Sequence, residues 1–516
     1  MTDMETASSL LENYDALLAR AKELVILMTA SGVLEWDMET KMPPRGIILR
    51  SQQLSLLSQF AHRLGTDPVI GSLISKIESD PGFGELNEVQ RRNVHLIRKN
   101  YEEQTKLPEK LVAETARQRA IAIDVWKKAK ASRDFSLFRP ELEKVVDLKA
   151  QAAVMLKDVK GSPTPYDALV DDFEPRMTAA QIGPIFDELK AGLISITQRC
   201  QASPRQPNPG VLERFVPMDV QRRVAESLAS FVLYDVKSGQ AGGRIDETEH
   251  PFTQGYYDDV RITTHYHEKN PTSSIFSVLH EAGHATYEQN LPGGWMYQPV
   301  GAACSSGFHE SQSRFVENIV GRSTEFWSFY LPKLKELTDG AFADVDLGSF
   351  VRAINQVKPS KIRVEADEVT YCLHIIVRFE LERDIFAGKV KVSELPQLWN
   401  EKYAEYLGVK IENDSEGVMQ DTHWAATYFG YFPSYALGNV YSGQILHAME
   451  RDLPDWRNSI SRGDFSPVRG WLREHLYSLG NLYDPTDLLR RVTGEDINVR
   501  YYLDYLRSKY GELYGF

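Results

Sequence analysis

The sequence predicts a mainly α-helical fold of many helices with one small β-hairpin or sheet. Two observations carry this: apolar residues recur at helical period along most of the chain, and strand-period alternation is confined to one stretch near 260–267. Taken in order, Leu10-Leu11, Leu17-Leu18, Ala21 and Leu24-Val25 form a first apolar stripe, and Val112, Ala116, Ala120 and Ile123 form another. Further helices are expected near 47–64, 86–105, 137–158, 179–199, 323–338, 362–385, 393–407 and 497–511. Lys160-Gly-Ser-Pro-Thr-Pro and Ser203-Pro-Arg-Gln-Pro-Asn-Pro-Gly read as loops, because Pro and Gly punctuate them too densely for regular structure. Val260, Ile262, Thr264 and Tyr266 alternate with Arg261, Thr263, His265 and His267, which is the period of a strand. Pro271-Thr-Ser-Ser then announces the start of a helix.

The chain has 516 residues, 42% hydrophobic and 25% charged, with 34 Gly and 25 Pro. Those proportions exclude collagen-like, disordered and disulfide-stapled classes. The chain reads as a single catalytic unit over 1–516, within which an N-terminal helical lobe 1–205 could be fused to a metal-binding lobe 206–516. No repeat at solenoid period is present. A net charge of -13 repels phosphate backbones and anionic lipid, so neither nucleic acid nor membrane is an expected partner. The N-terminus is acidic, its apolar run Leu24 to Met28 is too short for a signal peptide, and no uncharged stretch is long enough to span a bilayer. Cys200, Cys304 and Cys372 are scattered without a pairing pattern, so the expectation is a reduced, cytoplasmic setting. Lys127, Lys128 and Lys130 read as a solvated helix face.

Histidines cluster. His250, His265, His267, His280, His284 and His309 are half of the twelve and fall within sixty residues. In His280-Glu281-Ala282-Gly283-His284 the two imidazoles are one helical turn apart on one face, so both can ligate one Zn²⁺. Glu281 stands beside that face, the general-base position of HExxH metalloproteases. Ile275, Phe276, Leu279 and Ala282 make the helix a buried one, and burying these polar groups with neither metal nor partners would be costly. A third ligand is available in Phe308-His309-Glu310-Ser311-Gln312: either Glu310, or His309 with Glu310 orienting it. Cys304 is not needed as a ligand, and His250, His265 and His267 read as orienting or structural.

The sequence resembles the carboxypeptidase Taq family of metallocarboxypeptidases. The resemblance is carried by six motifs in order: His250-Pro251-Phe252, Asp259-Val-Arg261-Ile-Thr263, HEAGH at 280–284, HESQ at 309–312, Ile362-Arg363-Val-Glu365-Ala-Asp367, and Gly417-Val-Met-Gln420-Asp421-Thr-His423-Trp424. Trp36-Asp-Met-Glu-Thr-Lys-Met-Pro-Pro and Tyr166-Asp-Ala-Leu-Val-Asp-Asp-Phe-Glu-Pro extend it over nearly the whole chain. Arg176, after Glu174-Pro175, departs from the glycine of that pattern. The resemblance implies a saddle-like helical fold with a deep groove, related to angiotensin-converting enzyme and neurolysin. It also implies a homodimer and broad-specificity release of single C-terminal residues from peptides. By the same match His280, His284 and Glu310 hold one metal per chain and Glu281 is the base.

A carboxypeptidase must grip a free carboxylate, which a guanidinium matches; Arg363, expected on a helix, is the candidate, with Asp367 as a supporting partner. The competing role for Arg363 is a structural pair with Glu365 or Asp367. Donors for the developing oxyanion are His423 and Tyr431, with Tyr428 and Tyr435 as rivals. The strand Asp259, Arg261, Thr263 would offer an exposed edge to an extended peptide substrate, or else pack the start of the metal helix. An HExxH with a distant Glu does not fix the cleavage position, so an oligo-endopeptidase or dipeptidase stays open, as does, more remotely, a non-catalytic peptide-binding scaffold. Nor does the ligand set separate Zn²⁺ from Co²⁺ or Mn²⁺.

Overall fold

The computed structural model describes residues 2–516, with side chains from residue 9 onward. The expected helices form at nearly their expected places: Ile47–Gly65, Glu88–Lys106, Phe135–Val159, Ala179–Ala202, Thr324–Leu337, Leu395–Leu407 and Arg500–Tyr514. Their starts follow ordinary capping chemistry. Asn87 and Thr178, for example, each accept from the third helical N–H while Gln90 and Gln181 bond back. The exception is 362–385. Only Tyr371–Phe386 is α-helical, and Arg363–Glu365 is a single 3₁₀ turn. Asp367 explains the break, because its carboxylate accepts from the N–H groups of Lys358, Val369 and Thr370 and holds the chain in a tight turn before the helix. Among the described residues no helix is long and apolar enough to cross a membrane.

A three-stranded sheet interrupts the helices: β1 (Gly243–Glu247), β2 (Thr253–Tyr256) and β3 (Asp259–Thr264), in the order β1-β3-β2. β2 and β3 form the expected hairpin, while β1 adds to β3 in parallel. This corrects the expectation of an exposed edge at Asp259, Arg261 and Thr263. β3 is the central strand, so its backbone groups are taken by both neighbours and none is left for a peptide. The side chains are engaged too. Asp259 accepts from Arg261 at 2.7 and 2.8 Å, and the Arg261 guanidinium lies 4.4 Å from the centre of the Trp36 ring, docking the first helix onto the sheet. Thr263 is fully buried and holds the backbone of Phe252, accepting its N–H at 2.8 Å. Motif residues that looked like substrate contacts thus shape the strand beside the site.

The main apolar core runs from Ala122 to Tyr514. A separate small cluster of Leu10, Tyr14, Leu17, Ile70, Leu73, Ile74, Ile77, Leu86, Val94 and Ile97 sits at the N-terminal end. Arg176 adopts φ 64°, a left-handed conformation that suits glycine and strains a side chain with a Cβ. Its side chain is 73% exposed, with only a 3.5 Å approach to Asp484 to lose. Arg176→Gly therefore stabilises the protein by about 0.5–1 kcal/mol, read as a higher denaturant midpoint at unchanged slope.

Candidate metal centre and active site

Two glycines set the geometry. On the Pro271–Gln289 helix, a Cβ on Gly283 would sit 2.7 Å from the Gln312 carbonyl oxygen, so only glycine lets the Ser306–Arg314 helix approach. On the Phe432–Asp452 helix, a Cβ on Gly438 would lie 2.9 Å from the Glu310 side chain. Ser305 caps the Ser306–Arg314 helix by accepting from Phe308 N–H at 3.0 Å. Buried Glu174 accepts from Gly307 N–H at the same end, and burial pushes its pKa up to about 7. The middle helix is thereby pressed between two others, with Glu310 turned toward the histidines.

His280, His284 and Glu310 come together with their ligand atoms all within 4.8 Å of one another. Glu310 Oε2 stands 3.8 Å from His280 Nε2 and 3.5 Å from His284 Nε2. The other ring nitrogens are already used. His280 Nδ1 bonds to Glu317 at 2.9 Å, and Glu317 belongs to a π-helical turn, Phe315–Val320, that continues the Glu310 helix. His284 Nδ1 meets His309 Nδ1 at 2.5 Å, and His309 Nε2 meets Glu288 at 2.9 Å. One proton arrangement satisfies this chain: His309 donates from Nε2 to Glu288 and accepts at Nδ1 from His284. Both ligand histidines then present a bare Nε2 lone pair to Glu310, which is the donor set a divalent metal needs. The residues fit the ion. Both ring nitrogens of His309 are engaged, with His284 and Glu288, and Glu310 is the carboxylate in the cluster.

The electrostatics agree. Burial would raise the Glu310 pKa, but Arg314 and the two histidines outweigh it and hold the carboxylate well below its usual range. Arg314 donates to Glu310 Oε1 at 2.7 Å, leaving Oε2 for the histidine side. Burial and His309 push His284 down to about 3, so its ring stays neutral. Burial lowers His280 too, but Glu310 and Glu317 outweigh it and shift it upward, which marks a place that favours positive charge. Burial raises Glu281, whose carboxylate accepts a 2.6 Å hydrogen bond from Thr253.

Around these groups lies a cavity of about 330 Å³, lined also by Pro251, Phe252, Ser306, Tyr431, Ser434 and Tyr435. Tyr428 is 42% exposed and outside it. His423 does not line the cavity; its ring stacks on Tyr431 at 5.7 Å, and its Nδ1 is buried without a hydrogen-bond partner among the described residues. Burial together with Arg363 and Arg378 lowers His423 to about 4, so it is neutral at ordinary pH.

Arg363 is also set back from the cavity. It is buried, with its guanidinium 5.3 Å from the ring centre of Tyr435, which does line the cavity. Its partner is neither Glu365 nor Asp367 but Asp421, reached from Nε and Nη2 at 3.1 and 2.9 Å, while Nη1 donates to Tyr371 at 3.1 Å. Asp421 is shared with Arg378 at 2.7 Å, so two buried guanidiniums have one carboxylate between them. Gln420 completes the joint by accepting from Arg363 N–H at 2.8 Å, which docks the last two motifs onto each other.

Sequence reasoning missed Thr253, Glu288, Arg314, Glu317 and Arg378. Two carried a signal: Glu288 is four residues after His284, and Glu317 is two helical turns after Glu310. Arg378 carried none, because a charge pair between separate segments has no period.

Comparison with known proteins is consistent along the whole chain. The sequence profile of the carboxypeptidase Taq (M32) metallopeptidases matches residues 16–510. Carboxypeptidase 1 of Bacillus subtilis is 40% identical over 486 residues, 94% of this chain and 95% of its own length. Thermostable carboxypeptidase 1 of Thermus thermophilus is 41% identical over 509 residues, 97% and 99% of the two chains. The crystal structure of an M32 carboxypeptidase from Deinococcus radiodurans R1 superposes with a TM-score of 0.93 at 36% identity, over 98% of this chain and 100% of that one.

Proposed function

The chain belongs to the carboxypeptidase Taq (M32) metallopeptidase family, and we infer that it releases single residues from the C-termini of peptides with broad specificity. The observation that carries this reading is the convergence of two bare imidazole nitrogens and one carboxylate beside a buried glutamate. We assign His280, His284 and Glu310 as ligands of one Zn²⁺ per chain, with Co²⁺ or Mn²⁺ as substitutes. The ion would supply Lewis-acid polarisation of the scissile carbonyl and make water a nucleophile at neutral pH.

The protein's own residues do the rest. Glu281 takes a proton from the attacking water and delivers it to the leaving amine. Tyr431, from the cavity wall, donates to the carbonyl oxygen as it becomes negative, and His423 stacks behind Tyr431 to steady it. Arg363 supplies positive charge for the substrate's terminal carboxylate. Support comes from its cluster: Arg363 and Arg378 share the one carboxylate of Asp421, which leaves Arg363 attraction for an incoming carboxylate. Asp259, Arg261 and Thr263 act only indirectly, by fixing the strand and the Phe252 segment. Stripping the metal with chelator is expected to abolish turnover, and one equivalent of Zn²⁺ to restore it; activity that survives complete removal would refute the assignment.

A homodimer in the cytoplasm belongs to the same reading. Ile26, Met28, Ile48, Leu49, Leu56 and Phe60 are exposed on the helix pair Thr2–Thr40 and Ile47–Gly65, an apolar surface suited to a second copy. The three cysteines are free and buried, which suits a reducing compartment. Sedimentation equilibrium is expected to give twice the chain mass, and a single-chain mass would exclude the dimer.

A further inference from the structure

The carboxylate assigned as the base has one side-chain hydrogen bond among the described residues, and it comes from Thr253. The Thr253 hydroxyl lies 2.6 Å from Glu281 Oε2 and 3.0 Å from the Glu281 backbone oxygen. The shorter contact has the length of a charge-assisted O–H···O⁻ bond. We propose that Thr253 is a positioning residue for Glu281: its hydroxyl fixes the rotation of the carboxylate, leaving Oε1 for the reacting water. This rests on the reading of Glu281 as the base.

The strand is built to hold that hydroxyl still. Thr253 opens β2, paired with Ile262 of the central strand. The preceding residue is locked by a reciprocal pair: Phe252 N–H donates to Thr263 Oγ1 at 2.8 Å, and Phe252 O accepts from Thr263 N–H at 2.9 Å. Thr253 also lines the cavity, so the anchor sits next to the reacting groups. A buried carboxylate held at one oxygen by a rigid strand loses the freedom to swing away from the water. The hydroxyl has a single hydrogen and two acceptors on the same residue. When Glu281 carries the abstracted proton on Oε1, Oε2 becomes the carbonyl oxygen of the acid and still accepts from the Thr253 hydroxyl. The anchor therefore persists through the proton transfer.

The test compares Thr253→Val, which keeps the shape and removes the hydroxyl, with Thr253→Ser, which keeps the hydroxyl. On an unblocked peptide, Thr253→Val is expected to lower kcat by about 10–100-fold with KM and metal content unchanged. Thr253→Ser is expected within about threefold of the parent enzyme, and Thr253→Val is expected to cause no further loss in a Glu281→Gln background. Full kcat in the Val variant overturns the proposal. So does an equal loss in Val and Ser, which would mean strand packing and not the hydroxyl matters, or a further loss on top of Glu281→Gln. If the Val variant fails to fold with its metal, Thr253→Ala against Thr253→Ser makes the same comparison. Wild-type turnover in Glu281→Gln alone would instead remove the reading of the base on which the proposal rests.

Discussion

Replacing Glu281 by Gln lowers kcat on an unblocked peptide by about 10²–10⁴-fold while the protein keeps its metal. The amide matches the carboxylate in shape and can still accept from Thr253, so the site keeps its form and loses only the proton carrier. Stability works in the variant's favour. A carboxyl whose pKa is raised by burial is at its most favourable below the unfolded value, and it costs stability as pH rises through the folded value. At neutral pH the metal-free Glu281→Gln variant should thus melt no lower than the metal-free parent. Near-normal turnover, with metal content confirmed, would rule out Glu281 as the base.

Arg363→Ala is the second large effect. Arg363 stands back from the cavity beside Tyr435 and acts on the terminal carboxylate through its field, worth about 1–3 kcal/mol, so kcat/KM on free-acid peptides should fall by about 5- to 150-fold, mostly through KM. Folding should suffer less than is usual for a buried arginine, because Arg378 still neutralises Asp421. Activity on a C-terminal amide, where measurable, should hardly change. Equal losses on acid and amide would show that Arg363 supports the fold of the 3₁₀ turn and does not read the carboxylate.

The sequence showed the metal helix because ligation of one ion by two imidazoles requires the four-residue spacing of His280 and His284, and that spacing is itself local. It left His309 and Glu310 as alternatives, since adjacent helical residues differ by about a quarter-turn and the rotation of their helix is fixed elsewhere. Gly283 and Gly438, from two other helices, fix it. β3 was legible as a strand but not as the central one, because β1 has a single apolar residue, Ile245, in Gly-Arg-Ile-Asp-Glu and shows no alternation. The helix expected from 362 failed for a related reason. Its apolar residues allowed a helix, but the turn built on Asp367 and the pairing of Arg363 with Asp421, 58 residues away, depend on contacts without any local pattern. The tyrosines illustrate the same limit: the sequence offers Tyr431 with Tyr428 and Tyr435 as rivals, and only the packing leaves Tyr428 outside the cavity and sets Tyr431 against both Phe173 and His423.

The most direct test of a metal-dependent carboxypeptidase is product analysis by mass spectrometry, using one unblocked peptide and its C-terminal amide with protein of known metal content. Stepwise loss of single C-terminal residues from the free acid only, stopped by chelator and restored by Zn²⁺, is the expected result. Internal cuts in both peptides, or no cleavage by protein carrying one metal per chain, would contradict it.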